Sequence, residues 1–418
     1  MNDSQKAPYR PCHADHDLLV MVLAGGEGQR LVPLTNTMAK PAVRFGGAYR
    51  MIDFTLSNCL NSGLRRVYLL TQYASGSLNT HVRRGWSPLL SDDLGEFLDV
   101  MPPQKIFADR WYAGTADAVF QNLPLLQHER PEHVLLLSGD HAYKMDYSLM
   151  LKQHRDTGAA LTIACVPMPR RQCTQLGVVS IASDGRIEAF LEKPDDPPPT
   201  GDNPDMSLVN MAVYVWQTEA LVRHVVDDSR ADSSHDFGKD IIPAMVRAGE
   251  PVYAYRFRAA GQTGMDYWRD IGTLESYWEA NMHLLDAHPP LDLYDQSWPI
   301  FTHRPVAPPA RVSAVKSTSD DCLADTIVSA GCLIRDAQVR RCVLSPGVTV
   351  DGASVEESIL MDNVTVQPGA RLHRVIVAED VTVPAGTIIG RDRGRDATQF
   401  VVTESGVTVV PTRIVLDR

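Results

Sequence analysis

The residues best placed by type and spacing to do chemistry surround a short glycine stretch. An apolar run, Leu18 to Ala24, breaks off at Gly25, Gly26 and Gly28, and Arg30 and the pair Lys40-Pro41 follow. Consecutive apolar residues of this length read as a strand buried on both faces. The glycines read as a turn that lets backbone N–H groups come close to a ligand. Two cations at its rim suit phosphate oxygens. Two familiar phosphate loops are excluded. No GxxxxGK[ST] string is present, and a GxGxxG pattern begun at Gly26 would need its third glycine where Leu31 stands. A GGxG after a strand equally marks a plain tight turn, so the rest of the chain has to decide. A second signal of the same kind is Asp140. It follows Gly139 and the apolar run 133–138, where a carboxylate would project beyond a buried strand.

The elements that must position these groups alternate. Helix signals over 54–64, 76–84, 115–129 and 147–157 interleave with strand signals over 18–24, 66–72, 133–138 and 160–166. Thr115 is the expected N-cap of its helix, with Asp117 in the first turn and Pro131 beyond the end. Such alternation predicts an α/β fold, a doubly wound, mostly parallel sheet with helices on both faces. Ligands then sit at the carboxyl ends of the strands, where the Gly25 loop and Gly139-Asp140 both fall. From Gly177 the pattern turns β-rich. A proline-rich loop at 195–205, a strand at 210–216, a helix at 236–247 carrying Pro243, and a strand or turn leading into a helix at 267–286 follow.

Residues 287–320 are rich in proline and lack a period, and read as a connector. Beyond them aliphatic residues recur every five to seven positions: Ile327, Ile334, Val339, Val343, Val348, Ile359, Val364, Val375, Val381 and Ile388. Turns such as SPGV, QPGA and PAGT separate them. Imperfect hexapeptides of this type predict a parallel β-helix, with an antiparallel sandwich of short strands as the other reading. The expected organisation is a flexible arm (1–15), a catalytic domain (16–286), the connector (287–320) and a β-helix domain with its tail (321–418).

With 418 residues, 44% hydrophobic and 22% charged, the chain has the composition of a globular protein of two or three domains. A net charge of -11 and the absence of a Lys/Arg stripe argue against a nucleic-acid partner, and no apolar run is long enough to span a membrane. Seven scattered cysteines without a CxxC pair (Cys12, Cys59, Cys165, Cys173, Cys322, Cys332, Cys342) fit a reducing compartment. The last three read as small core residues of the repeat.

Five strings lie in register along the chain: LAGGEGQRLVPLT with Lys40-Pro41, WYAGTADAV (Trp111 to Val119), SGDHAYKMDY (Ser138 to Tyr147), FLEKP (Phe190 to Pro194) and YWRDIGTLESYWEAN (Tyr267 to Asn281). With the repetitive C-terminus they closely resemble the ADP-glucose pyrophosphorylases (glucose-1-phosphate adenylyltransferases), a branch of the nucleoside-triphosphate:sugar-1-phosphate nucleotidylyltransferases. The resemblance implies a Rossmann-like nucleotidylyltransferase domain followed by a left-handed parallel β-helix. The implied reaction is attack by the phosphate of glucose 1-phosphate on the α-phosphorus of ATP, with release of pyrophosphate. It further implies Mg2+ on Asp140 and Asp270, and Arg30 and Lys40 on the triphosphate. Gly25, Gly26, Gly28, Gln72, Tyr112, Gly114 and Thr115 would contact the nucleotide. Lys193, Glu192, Gly177, Asn210 and Asp236 would contact the sugar phosphate. Trp111 and Tyr112 read equally well as core aromatics. The histidines fall in no metal-ligand spacing and read as structural. A cytoplasmic homotetramer, assembled partly through the β-helix and regulated by small-molecule effectors, is also implied. Rival readings are a pyrophosphorylase for another base or sugar, and a regulatory subunit without catalysis.

Several departures concern regulation. The resemblance implies an activator held by a basic cluster, part of which lies just before the Lys-Pro pair; here Thr37 and Met38 stand where two cations are typical. Glu27, Gly76 and the run Ala397-Thr398-Gln399-Phe400 replace other basic or histidine positions, while Arg44 and Arg50 remain. Each charge-assisted contact is worth roughly 1.5–3 kcal/mol, so sugar-bisphosphate activation is expected to be lost, weakened or replaced. Arg391, Arg393 and Arg395 are the residues that could re-form such a site. Val209-Asn210-Met211-Ala212 stands where the family often has a Ser-Met-Gly run, a departure that bears on the sugar pocket.

Overall fold

The strand Leu18–Ala24 runs through the middle of the larger sheet. A computed structural model describes residues 17–104, 111–201, 203–261, 266–313 and 322–412; the expected arm over 1–15 and the end of the tail lie outside them. Successive side chains of this strand enter different layers. Leu18, Val20, Val22 and Ala24 join one apolar cluster, and Leu19 and Met21 join another. The strand therefore shows no polar alternation, because both its faces are covered. Helices Met51–Asn61, Gly76–Gly85 and Tyr147–Thr157 supply the first layer. Thr115–Gln121, Leu123–Glu129, Thr218–Asp228 and Ile242–Arg247 supply the second.

Arg66–Thr71 and His133–Ser138 flank the central strand in parallel, and Phe97–Met101 continues the parallel half. Beyond His133–Ser138 the direction changes. Met206–Gln217 pairs antiparallel with it, with Leu161–Pro169 and with Gly177–Ile181, which forms a hairpin with Ile187–Glu192. The parallel, doubly wound arrangement thus holds where helices cross between strands. Beyond Gly177 the strands Gly177–Ile181, Ile187–Glu192 and Met206–Gln217 pair antiparallel with one another, whereas Val252–Arg256 joins Leu161–Pro169 in parallel.

Three local expectations are corrected. The single helix over 115–129 is two, parted at Asn122 and restarted with Pro124 in its first turn, where the missing N–H costs nothing. Its N-cap is Gly114, not Thr115. The helix over 236–247 opens as a π turn, Phe237–Ile241, before Ile242–Arg247.

The C-terminal part winds as a left-handed β-helix of three sheets whose coil strands pair in parallel, with Val401–Val402 added antiparallel to Thr408–Val410 at one end. Ile334 pairs with Val350, Val339 with Val355 and Val343 with Ile359, so one coil takes sixteen residues. The columns Ile334–Val350–Val366–Val383 and Val339–Val355–Leu372–Ile389 point inward and are buried. Ile388, expected among the inward residues, faces out at 42% exposure and Ile389 takes its place. Cys332 and Cys342 fill the coil core. The coil docks on the helix Leu274–His283: Trp278 Nε1 donates to Glu357 O (2.8 Å), and Arg374 lies 4.3 Å from the Trp278 ring centroid.

Candidate active site

Three adjacent parallel strands end at one crevice. Gly25 follows Leu18–Ala24, Gln72 follows Arg66–Thr71, and Gly139-Asp140 follow His133–Ser138. The crevice encloses about 610 Å3 and is lined by these loops, by the segment from Tyr112 to Thr115, and by Gly177, Glu192, Lys193, Asn210, Asp236 and Asp270. Of the residues expected to contact substrates, Gly28 alone is not in the lining. It makes the turn instead. Its φ is +65°, and a Cβ there would stand 2.9 Å from Thr35 Cγ2 and 3.1 Å from Lys40 Cβ.

The loop from Tyr112 to Thr115 is held by side chains from neighbouring elements. Gln72 Oε1 accepts a hydrogen bond from Tyr112 N (2.6 Å), Asp117 Oδ2 accepts one from Ala113 N (2.8 Å), and Asn122 donates to the Tyr112 hydroxyl (3.0 Å). Gln72 thus positions the loop through its amide. Gly114 packs so closely on the Ser234-His235 backbone that a Cβ would lie 2.2 Å from His235 O. The Thr115 hydroxyl donates to Asp236 Oδ2 (3.1 Å), and Asp236 Oδ1 caps the π turn by accepting from Gly238 N and Lys239 N. Trp111 is 59% exposed and Tyr112 half-buried, so neither is a core aromatic in the full sense.

On the opposite wall Lys193 is bent out of the strand end with φ +50° and stays 46% exposed at its side chain. Its Nζ lies 3.6 Å from Glu192 Oε1. Burial raises the Glu192 carboxyl above its ordinary range, with Asp236 adding and Lys193 opposing. Glu192 can sit here because Gly177 leaves room: a Cβ there would meet Glu192 Oε2 at 3.0 Å. Asn210 accepts from Ala212 N (2.9 Å) and donates to the Tyr214 hydroxyl (2.8 Å). It thereby braces the strand irregularity that puts Ala212 at φ +52°.

Between the walls, Lys40 is buried with its Nζ 2.6 Å from Asp140 Oδ2 and 3.1 Å from Asp270 Oδ1. Burial lowers the lysine's proton affinity, but the two carboxylates outweigh it and the net shift is upward. Burial pushes the Asp140 carboxyl up, while the Lys40 ammonium more than offsets this and holds it well below the usual range. Ser138 Oγ also donates to Asp140. The Arg30 guanidinium lies near Asp270, against Gly272, where a Cβ would be 3.1 Å from Nη2. Asp140, His141 and Asp270 each bring a ligand atom within 4.8 Å of the others, a donor set that fits a divalent cation.

The sequence reads His141 as structural; the structure instead brings it beside the carboxylates of Asp140 and Asp270. The usable signal was its position next to Asp140 in the string SGDHAY. Arg44 and Arg50 lie outside the crevice. Arg44 is buried; it donates from Nε to Asp362 Oδ1 (2.8 Å), from Nη1 to Ala48 O (2.8 Å), and from Nη2 to Asp362 Oδ2. Arg50 donates to Ala42 O. Met38 is a core residue, whereas Thr37 is exposed. Arg391 faces Glu356, and Arg393 donates to Thr403 O.

Comparison with known proteins followed the same division. Residues 19–287 match the family model described as nucleotidyl transferase, and residues 308–410 match the one described as GlmU-like, C-terminal hexapeptide. Among similar proteins, glucose-1-phosphate adenylyltransferase 2 of Alkalilimnicola ehrlichii is 42% identical over 97% of this chain and 96% of its own. The glucose-1-phosphate adenylyltransferase of Koribacter versatilis is 44% identical over 94% and 95%, and glucose-1-phosphate adenylyltransferase 2 of Vibrio cholerae is 44% identical over 94% and 98%.

Proposed function

The chain belongs to the glucose-1-phosphate adenylyltransferase family, and from that premise we propose that its crevice transfers the adenylyl group of ATP to α-D-glucose 1-phosphate. The products are ADP-glucose, for α-glucan (glycogen) synthesis, and pyrophosphate. A phosphate oxygen of the sugar phosphate attacks the α-phosphorus as the bond to the bridging oxygen of pyrophosphate breaks. The nucleophile is already an anion, so no side chain has to be deprotonated. The task is to hold two polyanions in line and to balance the charge that gathers at phosphorus.

The observation that carries this reading is Lys40 bound between Asp140 and Asp270, in the crevice that Gly25, Gly26 and Lys193 also line. Arg30 and Lys40 hold triphosphate oxygens. Gly25 and Gly26 leave room for the phosphates, and Gly28 shapes the turn. Gln72, Tyr112, Gly114 and Thr115 frame the base and ribose. Lys193 takes the phosphate of the sugar, and Glu192 accepts hydrogen bonds from its hydroxyls, with Gly177, Asn210 and Asp236 shaping that pocket. Asp140 and Asp270 would hold the divalent cation, which we take to be Mg2+; it would supply charge neutralisation at the triphosphate.

We assign the catalytic domain to 16–286 and the β-helix domain to 321–418, joined by 287–320. We further propose a homotetramer. The outward-facing Val312, Leu333 and Ile388 support a coil that is covered in the assembly. We place the enzyme in the cytoplasm, in keeping with free, scattered cysteines. Effector control is expected to be altered, since Arg44 is tied to Asp362 and neither Thr37 nor Met38 carries charge.

Pyrophosphate release measured with Mg2+ over a matrix of nucleotides, sugar 1-phosphates and candidate effectors tests the reading. The highest kcat/KM should come from ATP with glucose 1-phosphate. A higher value with UTP or glucosamine 1-phosphate would refute the specificity, and micromolar fructose 1,6-bisphosphate giving many-fold stimulation would refute the altered control.

A further inference from the structure

We propose that His141 is a third protein ligand of the metal centre, acting through Nε2 beside Asp140 and Asp270. The inference rests on the reading above, that these carboxylates hold a divalent cation.

Strand register comes first. His141–Tyr143 pairs antiparallel with Trp268–Asp270, and His141 lies directly opposite Asp270. Opposed residues of an antiparallel pair project their side chains from the same face, so the register itself aims the imidazole at the carboxylate. Distances agree. Nε2 is 3.6 Å from Asp140 Oδ1 and 3.9 Å from Asp270 Oδ1. That is too far for hydrogen bonds but close to the span of a ligand shell. Around an ion with ligands at about 2.1 Å, neighbouring donors sit about 3 Å apart and opposite ones about 4.2 Å. Closing the site needs side-chain movement of under about 1 Å by the same geometry.

The ring is also fixed by packing. His141 is 6% exposed, and its ring meets the Trp268 indole edge to face, with centroids 5.1 Å apart and planes at 77°. Nδ1 is buried and has no hydrogen-bond partner among the described residues. A histidine kept for core polarity would be expected to hydrogen-bond, but a metal-bound histidine also donates its second ring N–H as a rule. The unpartnered Nδ1 therefore favours neither role, and the assignment rests on register and distance. This ring is held by packing and points its other nitrogen at the carboxylates.

Two carboxylates and one imidazole form a softer donor set than the all-oxygen shell that suits Mg2+, and favour Mn2+ and the later divalent ions. The test titrates Mn2+ alone into the full-length protein and records pulsed electron paramagnetic resonance of the bound ion. Wild type should show 14N coupling, replaced by 15N coupling when histidine is 15N-labelled. His141→Gln should lose the coupling and bind Mn2+ ten- to a hundredfold more weakly, with a smaller loss for Mg2+. Bound Mn2+ without nitrogen coupling in wild type, or unchanged affinity in a folded His141→Gln, overturns the ligand assignment and leaves the carboxylate site standing. Wild type that binds no Mn2+, or binding that Asp140→Asn and Asp270→Asn leave unchanged, overturns the carboxylate site and the inference together. The labelled wild-type measurement decides the matter even if the variant misfolds.

Discussion

Lys40 and Asp140 form a 2.6 Å ion pair in the crevice. The same ammonium reaches Asp270 at 3.1 Å. One lysine thus holds together two carboxylates that would otherwise repel each other in a partly dry site.

Asp140→Asn should leave the fold intact and lower kcat by about 10²- to 10³-fold, the usual effect of losing one preorganised group at a charged transition state. Steady-state pyrophosphate release beside a circular dichroism spectrum checks this. Near-normal turnover in the folded variant would remove Asp140 from the catalytic centre.

Lys193→Ala should act on the sugar phosphate. A charge-assisted contact worth about 1.5–3 kcal/mol corresponds to a KM for glucose 1-phosphate raised roughly 10- to 100-fold. The KM for ATP should move little, because Lys193 lies on the far wall from the glycine loop. Equal changes in both constants would argue that Lys193 shapes the crevice as a whole.

Arg44 and Asp362 join the sheet region to the coil. Asp362→Ala leaves a buried guanidinium without its partner and should cost about 3 kcal/mol in urea unfolding. The double variant Arg44→Met, Asp362→Leu should recover a large part of that loss, because apolar groups need no partner. Additive losses in the double-mutant cycle would show that the pair contributes no coupling.

His154 sets an acid limit on stability. Burial, with His133 and Arg155 nearby, lowers it to about 3, and its Nδ1 lies 2.8 Å from Thr162 Oγ1. An unfolded histidine titrates at about 6.5. The folded chain therefore keeps this ring neutral while the unfolded chain binds a proton. Its contribution is complete above about pH 6.5 and is lost as pH falls toward 3, with a slope of one proton. Urea unfolding from pH 7 to 4 should show that slope, and His154→Gln should flatten it by about one proton. An unchanged slope would move the acid sensitivity elsewhere.

Much of the architecture was legible without coordinates. The unbroken apolar runs at 18–24 and 133–138 marked strands covered on both faces, and the aliphatic period beyond residue 323 marked coils of a β-helix. These are local patterns, determined by which neighbours along the chain face the same way. The glycine loop and Asp140 could be picked out for the same reason: each sits where a strand ends, and a strand end is visible in one dimension. Lys193, by contrast, was singled out by the resemblance of FLEKP. The tertiary structure decided the pairings between distant segments. Asp270 meets Lys40 across 230 positions, and Asp362 meets Arg44 across 318. Gln72 and Asp236 proved to be occupied in holding loops, and the register opposite Asp270 turned His141 toward the carboxylates. No local period encodes such contacts, because they depend on which strands lie side by side and in what register. The sequence by itself determined the family of chemistry and the layers that support it. Only the folded chain determined which charges share a site, because charges interact through space and not along the backbone.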